Sequence, residues 1–298
     1  MFDRYPEKST TVTFPSGSVK EKSSIIGIFA DPQKQDQSIL FTERTPFHPV
    51  DTKWPDQQAD TGELFVGEHV LKVQDCVTAA VGPLRNDRIF TRSEIPAKRG
   101  AEGWLFLVGH VIPNRADELQ PMLGQAIEMR VDVELRRALS AGHTGCHLAA
   151  LALNMALADL WKSPDKIDSL GNPDFDGQAL RMSEIVQNGS RDEYSLSKSI
   201  KKKGFNRHEF IAGIEKYQNA INQILSDWIA TRPNIELTPG ECGLDEPRTW
   251  RCSLPAGTAS IPCGGTHLED LSMVESISVD FSRDDSSRLE MTTQVQAN

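Results

Sequence analysis

The chain has 298 residues, 38% hydrophobic and 25% charged, the composition of an ordinary folded protein with room for one large or two modest cored domains. Its formal net charge of −10 argues against a broad, sequence-independent hold on nucleic acid and leaves only local basic contacts open. The longest apolar run, Leu148 to Leu160, is broken by Asn154 and Asp159 and is too short to cross a bilayer, and residues 1–9 carry charges and a proline instead of an apolar signal core; a cytoplasmic protein with no membrane partner is expected.

From Thr10 to about His110 the pattern is short extended segments between turn residues. Ser24–Ala30 and Ser38–Thr42 are β-prone runs joined through Asp31-Pro32, which predicts a hairpin with a longer loop. Gly67–Val73, Arg88–Arg92 and Trp104–Val111 add strands, with Gly82-Pro83 and Lys98-Arg99-Gly100 as breaks. No amphipathic helix is evident here. The reading is a small antiparallel β-domain, barrel-like, over residues 1–120.

Residues 121–298 read as an α+β domain. A β-run, Ala126–Val133, leads into His143-Thr144-Gly145-Cys146-His147, where Gly142 and Gly145 weaken any unbroken helix although Leu148, Leu151, Ala152, Met155 and Ala156 continue at helical spacing. Ser163–Gly177 reads as a loop. Asn206 with Glu209 three residues on predicts a capped helix start, and Phe210, Ile214, Tyr217, Ile221, Ile224 and Trp228 form its apolar stripe, with Pro233 just past its end. Thr249–Leu254, Ala259–Pro262, Val274–Phe281 and Arg288–Val295 are extended, and Cys263-Gly264-Gly265-Thr266-His267 occupies the turn between two of them.

The chemistry concentrates in those two short segments. Four residues apart on a helix, His143 and His147 project from one face and can grip one ion. Cys263 and His267 flank glycines that let the backbone turn tightly. Three nitrogens and one sulfur suit Zn2+. At helical spacing Cys146 points off the shared face, so packing is its expected role. Five scattered cysteines, an odd number, fit a reducing compartment better than a disulfide framework. The dense positive cluster, Lys198, Lys201, Lys202 and Lys203 followed by Arg207, is either a solvated loop or a contact for RNA phosphates.

These residues carry a resemblance. The second half resembles the editing domain of alanyl-tRNA synthetase and the AlaX-type free-standing alanyl-tRNA editing proteins, with the related threonyl editing domain. The family's His-Thr-Ala-Thr-His-Leu-Leu stands against His143-Thr144-Gly145-Cys146-His147-Leu148-Ala149, and its Cys-Gly-Gly-Thr-His matches Cys263 to His267 throughout. Asp132 with Arg136-Arg137 resembles its Asp-x-x-x-Arg-Arg lead, Gln187-Asn188-Gly189-Ser190 its Gln-x-Gly-Ser strand, and Arg251 stands where an arginine is expected. The likeness runs from about Val70 to the carboxyl end. Before it, Phe47, Pro49, Gln57, Asp60 and Gly62 can be matched to the smaller domain of longer AlaX proteins, Phe-x-Pro-x-Gly-Gly-Gly-Gln-Pro-x-Asp-x-Gly. The three glycines have no counterpart: Val50–Asp56 is longer, and Asp51, Lys53, Trp54 and Asp56 form either a differently shaped pocket wall or a polar turn. That departure bears on which amino acid is removed and not on the metal ligands.

The resemblance implies Zn2+ on His143, His147, Cys263 and His267 and hydrolysis of the ester joining an amino acid to a mischarged tRNA(Ala), most plausibly Ser-tRNA(Ala), in the service of translation fidelity. Beside a ligand, Thr144 can donate to or accept from a serine hydroxyl; Gln187 and Thr266 either position water or make structural hydrogen bonds; Gln57 and Asp60 are candidates on the substrate side, and Lys201, Lys202 and Lys203 are the first candidates for RNA contact. A chain of 298 residues leaves no room for a synthetase core, so action in trans is expected, with no obligate protein partner. Two alternatives stand beside it: a zinc hydrolase of another aminoacyl-tRNA or small aminoacyl ester, and an inactive, zinc-stabilised tRNA-binding module.

Overall fold

Strands β1 (Thr11–Val12), β2 (Lys20–Ala30), β3 (Gln37–Thr42), β4 (Arg44–Thr45), β5 (Gly62–Val66), β6 (His69–Val73), β7 (Asp75–Val81), β8 (Ile89–Thr91), β9 (Leu105–Pro113) and β10 (Ala126–Val131) fill the first part of the chain, with a short helix α1 (Ala116–Leu119) before β10. Helices α2 (Val133–Ala156) and α3 (Phe175–Ala179) follow, then strands β11 (Leu180–Val186) and β12 (Gly189–Ser195), then α4 (Lys198–Lys202), α5 (Arg207–Ala212) and α6 (Ile214–Ala230). The chain closes on β13 (Ile235–Thr238), β14 (Cys242–Gly243), β15 (Thr249–Leu254), β16 (Gly257–Pro262), β17 (Val274–Ser282) and β18 (Arg288–Ala297). This is a computed structural model describing residues 2–3, 5–52, 55–84, 88–283 and 287–297; Lys53 and Trp54, named above for a pocket wall, lie outside them. The fold is mixed α+β, dominated by antiparallel sheets.

Two compact units result. The first comprises Met1–Arg136, Leu237–Arg248 and Gly264–Thr266; the second comprises Arg137–Glu236, Thr249–Cys263 and His267–Asn298.

In the first unit eight strands run in the order β6-β5-β10-β2-β3-β9-β7-β8. The predicted hairpin forms, with Ile28 facing Leu40 and Ala30 facing Ser38. The sheet does not close into a barrel as expected, because β6 and β8 remain as separate edges. Strand β2 changes partner along its length, pairing with β10 over Lys20–Ser24 and with β3 over Ile25–Ala30, with a bulge between Ile25 and Gly27. A bulge bends a strand and increases its twist without closing the sheet. At Gly27 the ring of Phe2 packs where a Cβ would stand, 2.6 Å away. Strands β5 and β7 were not foreseen. β5 pairs with β6 through a two-residue turn at Gly67-Glu68, and Gly67 takes φ +56 there. β7 reads Asp-Cys-Val-Thr-Ala-Ala-Val and is buried on both faces, so it lacks the alternation that marks a strand with one wet side.

In the second unit the four-stranded sheet β11-β12-β18-β17 supports α2 and α6. Contrary to expectation, α2 runs unbroken through Gly142 and Gly145. These glycines are there for approach: a Cβ at Gly142 would run into the carbonyls of Val186 and Gly189, and one at Gly145 into Val295. The sheet therefore lies directly against the turn that carries the histidines. On the other flank α6 covers the edge strand β17: Asn222 accepts from Val279 N–H at 2.7 Å and donates to Val279 O at 3.1 Å, and Gln218 accepts from Phe281 N–H at 2.9 Å. An otherwise open strand edge is thereby satisfied. The cap at Asn206 forms as predicted, its side chain accepting from Glu209 N–H, but Gly213 divides the helix in two, and the buried stripe is Phe210, Tyr217, Ile221, Leu225 and Trp228, with Leu225 in the place expected of Ile224.

Candidate metal centre

Helix α2 presents His143 and His147 one turn apart, their ring centroids separated by 4.9 Å. The hairpin of β15 and β16, with Thr249 facing Pro262, delivers Cys263 at its end. The Cys263 Sγ stands 3.5 Å from His143 Nε2 and 3.2 Å from His267 Nε2. One donor atom from each of His143, His147, Cys263 and His267 lies within 4.8 Å of every other, so this group can hold a metal ion.

Two local features suit that role. Burial holds His147 down to a pKa of about 4, so the imidazole is neutral and keeps a lone pair for a cation at physiological pH. Its Nδ1 is buried with no hydrogen-bond partner among the described residues. Trp250, fully buried, sets its ring 5.0 Å from His147 and 5.8 Å from His267 and walls one side of the group. Composition alone did not single out Trp250, although the alternation of β15 places it with Cys252 and Leu254 on the buried face.

The remaining candidates fall in several places. Thr144, wholly buried, has its Oγ1 3.3 Å from His267 Nδ1 and accepts from Leu268 N–H at 3.1 Å. Gln57 and Thr266, 209 residues apart in sequence, bond reciprocally in the first unit: Gln57 Nε2 donates to Thr266 Oγ1 at 2.9 Å, and Thr266 N–H donates to Gln57 Oε1 at 3.1 Å. Also in the first unit, Asp60 is buried against Arg136, whose Nε donates to Oδ1 at 2.9 Å. Gln187 is exposed on the turn between β11 and β12, where Asn188 takes φ 56. Lys201 and Lys202 are exposed on and beside the end of α4, Lys203 is partly buried, and Arg207 donates to Leu196 O at 2.8 Å.

Cys146 faces a different set of groups. Its Sγ lies 3.6 Å from Asp192, whose carboxylate also accepts from Ser183 at 2.6 Å and Ser190 at 2.7 Å. All five cysteines are free thiols. Nearby, Asp176 accepts from Tyr194 OH at 2.8 Å, and burial, reinforced by Asp192 and Asp174, pushes its pKa up to about 7. Its native pKa exceeds the unfolded value of 3.8, so the native state binds the extra proton between about pH 4 and 7 and loses stability as pH rises through that window. Asp176→Asn keeps an acceptor for Tyr194 and removes the ionisation. Urea denaturation should find it equal to the wild type near pH 4 and more stable by on the order of 2–4 kcal/mol near pH 8. An unchanged pH slope would mean that another group titrates.

Taken together, fold and site define an α+β protein with a three-histidine, one-cysteine group able to hold a metal ion. No family model matches the chain, and no curated protein matches its sequence. Among the described residues no helix is long and apolar enough to cross a membrane.

Proposed function

We propose that this chain is a zinc-dependent hydrolase of aminoacyl-tRNA esters, an AlaX-like protein that clears mischarged tRNA(Ala), Ser-tRNA(Ala) first, in trans. The observation that carries the reading is the convergence of His143 and His147 with Cys263 and His267, the two segments that bear the resemblance and lie 120 residues apart. Tetrahedral zinc takes nitrogen at about 2.0–2.1 Å and sulfur at about 2.3 Å, which sets sulfur and nitrogen donors roughly 3.6 Å apart. The Cys263 to histidine separations of 3.5 and 3.2 Å are close to that spacing. When bound, zinc supplies a Lewis acid able to polarise an ester carbonyl or a water.

The protein's own contribution is positional. A rigid helix carries one ligand pair and a hairpin end the other, Trp250 excludes water from one side, and the reciprocal bonds of Gln57 with Thr266 fix Gly264–Thr266 within its own unit. On an acidic surface, Lys201 and Lys202 are exposed cations suited to RNA phosphates. A second reading, a zinc-stabilised tRNA-binding module without turnover, is favoured by the count of four protein donors, which in zinc proteins generally marks a closed structural site.

A panel of mischarged tRNAs and small aminoacyl esters separates the readings. Release of serine from Ser-tRNA(Ala), with alanine retained on Ala-tRNA(Ala), is the expected result. Hydrolysis confined to small esters would move the substrate class, and tight tRNA binding with no release would leave the module.

A further inference from the structure

Thr144 lies between the two ligand segments without being a ligand. It follows His143 on α2 and so points roughly 100° around the helix from the face the two histidines share. Its hydroxyl oxygen meets two nitrogens from the Cys263–Leu268 segment: His267 Nδ1 at 3.3 Å and the Leu268 N–H at 3.1 Å. The other nitrogen of His267, Nε2, is the one 3.2 Å from Cys263 Sγ and so faces the donors. An imidazole that ligates through Nε2 keeps its proton on Nδ1, and that N–H needs an acceptor. Among the described residues the Thr144 oxygen is placed to accept it.

We propose that Thr144 is a positioning residue, fixing the tautomer and ring plane of His267 and, through Leu268, the backbone just beyond it, so that metal affinity is set from the histidine helix. With Leu268 N–H and, in the proposed tautomer, His267 Nδ1–H as donors, both lone pairs of the fully buried Oγ1 are used, so Thr144 could not also accept from a substrate hydroxyl. The proposal rests on metal binding by the quartet and not on the aminoacyl-ester reading.

The test uses Zn2+ as the probe and a competing chromophoric chelator to read affinity in the wild type, Thr144→Val and Thr144→Ser. Valine keeps the shape and strands both donors; about 10–100-fold weaker zinc binding is expected, with serine within about threefold of the wild type. In the zinc-loaded wild type, nitrogen-15 spectra of the histidine side chains should place the His267 proton on Nδ1. A wild-type His267 whose Nδ1 is unprotonated and metal-bound overturns the proposal even if the valine variant does not fold. So does a folded Thr144→Val protein of unchanged zinc affinity whose preference between seryl and alanyl esters has shifted. Absence of deacylation by the wild type would sink the hydrolase reading while leaving the zinc affinities, and this inference, standing.

Discussion

On the proposed zinc-hydrolase reading, the wild type will be isolated with one metal ion per chain and will release serine from Ser-tRNA(Ala), and Cys263→Ala and His147→Ala proteins will do neither. The reason lies in the geometry of four donors within 4.8 Å of one another: removing one leaves three groups, at least one of them buried, to pay the desolvation cost with a weaker hold. Structural zinc contributes on the order of 10 kcal/mol or more to small metal-folded domains. Losing one of four ligands should lower affinity at least about 1,000-fold, about 4 kcal/mol. Elemental analysis and chelator competition read the metal, and thermal unfolding with and without added zinc reads the linkage. Cys146→Ser is the control, since its sulfur lies against Asp192 and not with the quartet. A metal-free Cys263→Ala protein that still deacylates at the wild-type rate would remove zinc from the mechanism, and a Cys146→Ser protein that loses its metal would mean that the wrong thiol had been assigned.

How much of this could be read from the chain depends on the range of the cause. Strands β15 and β18, and β17 beyond its bulge near Val274, alternate because one face is wet, and their limits were legible within a few residues. β7 was missed for the opposite reason, since both of its faces are buried and alternation vanishes. Gly142 and Gly145 looked like helix weakeners because local propensity penalises glycine; what decides them is a sheet packed against α2, contributed by residues more than 40 positions away. The four candidate ligands were legible because each pair has a local spacing. That Gln57 would clasp Thr266 had no local signal, because a partner 209 residues distant leaves no period or turn in the sequence. Asp60 and Arg136 were each named by motif, yet nothing in either motif foretold that they would be used on one another.

Arg136→Ala should be the most damaging single change in the first unit. Arg136 is 5% exposed and Asp60 is wholly buried. Arg136 donates to both oxygens of Asp60, to Pro46 O at 2.6 Å and to Ser18 O at 3.2 Å. Truncation leaves a buried carboxylate with its charge partner gone and two backbone carbonyls short of a donor, a loss of about 3–5 kcal/mol. For a domain of this size that corresponds to a fall in melting temperature of roughly 6–20 °C, measurable by calorimetry. Arg136→Lys should recover little, because an ammonium cannot reproduce the two-pronged geometry. The decisive protein is the double variant Arg136→Met, Asp60→Leu: with neither charge left to bury, the part of the loss due to the unpaired carboxylate should be recovered, while Pro46 O and Ser18 O stay without a donor and His48 N–H, which donates to Asp60, loses its acceptor. If Asp60 serves only this ion pair, deacylation by the double variant will follow its folded fraction. A double variant that is stable and retains its metal yet no longer releases serine would show that Asp60 has a role in turnover beyond this ion pair.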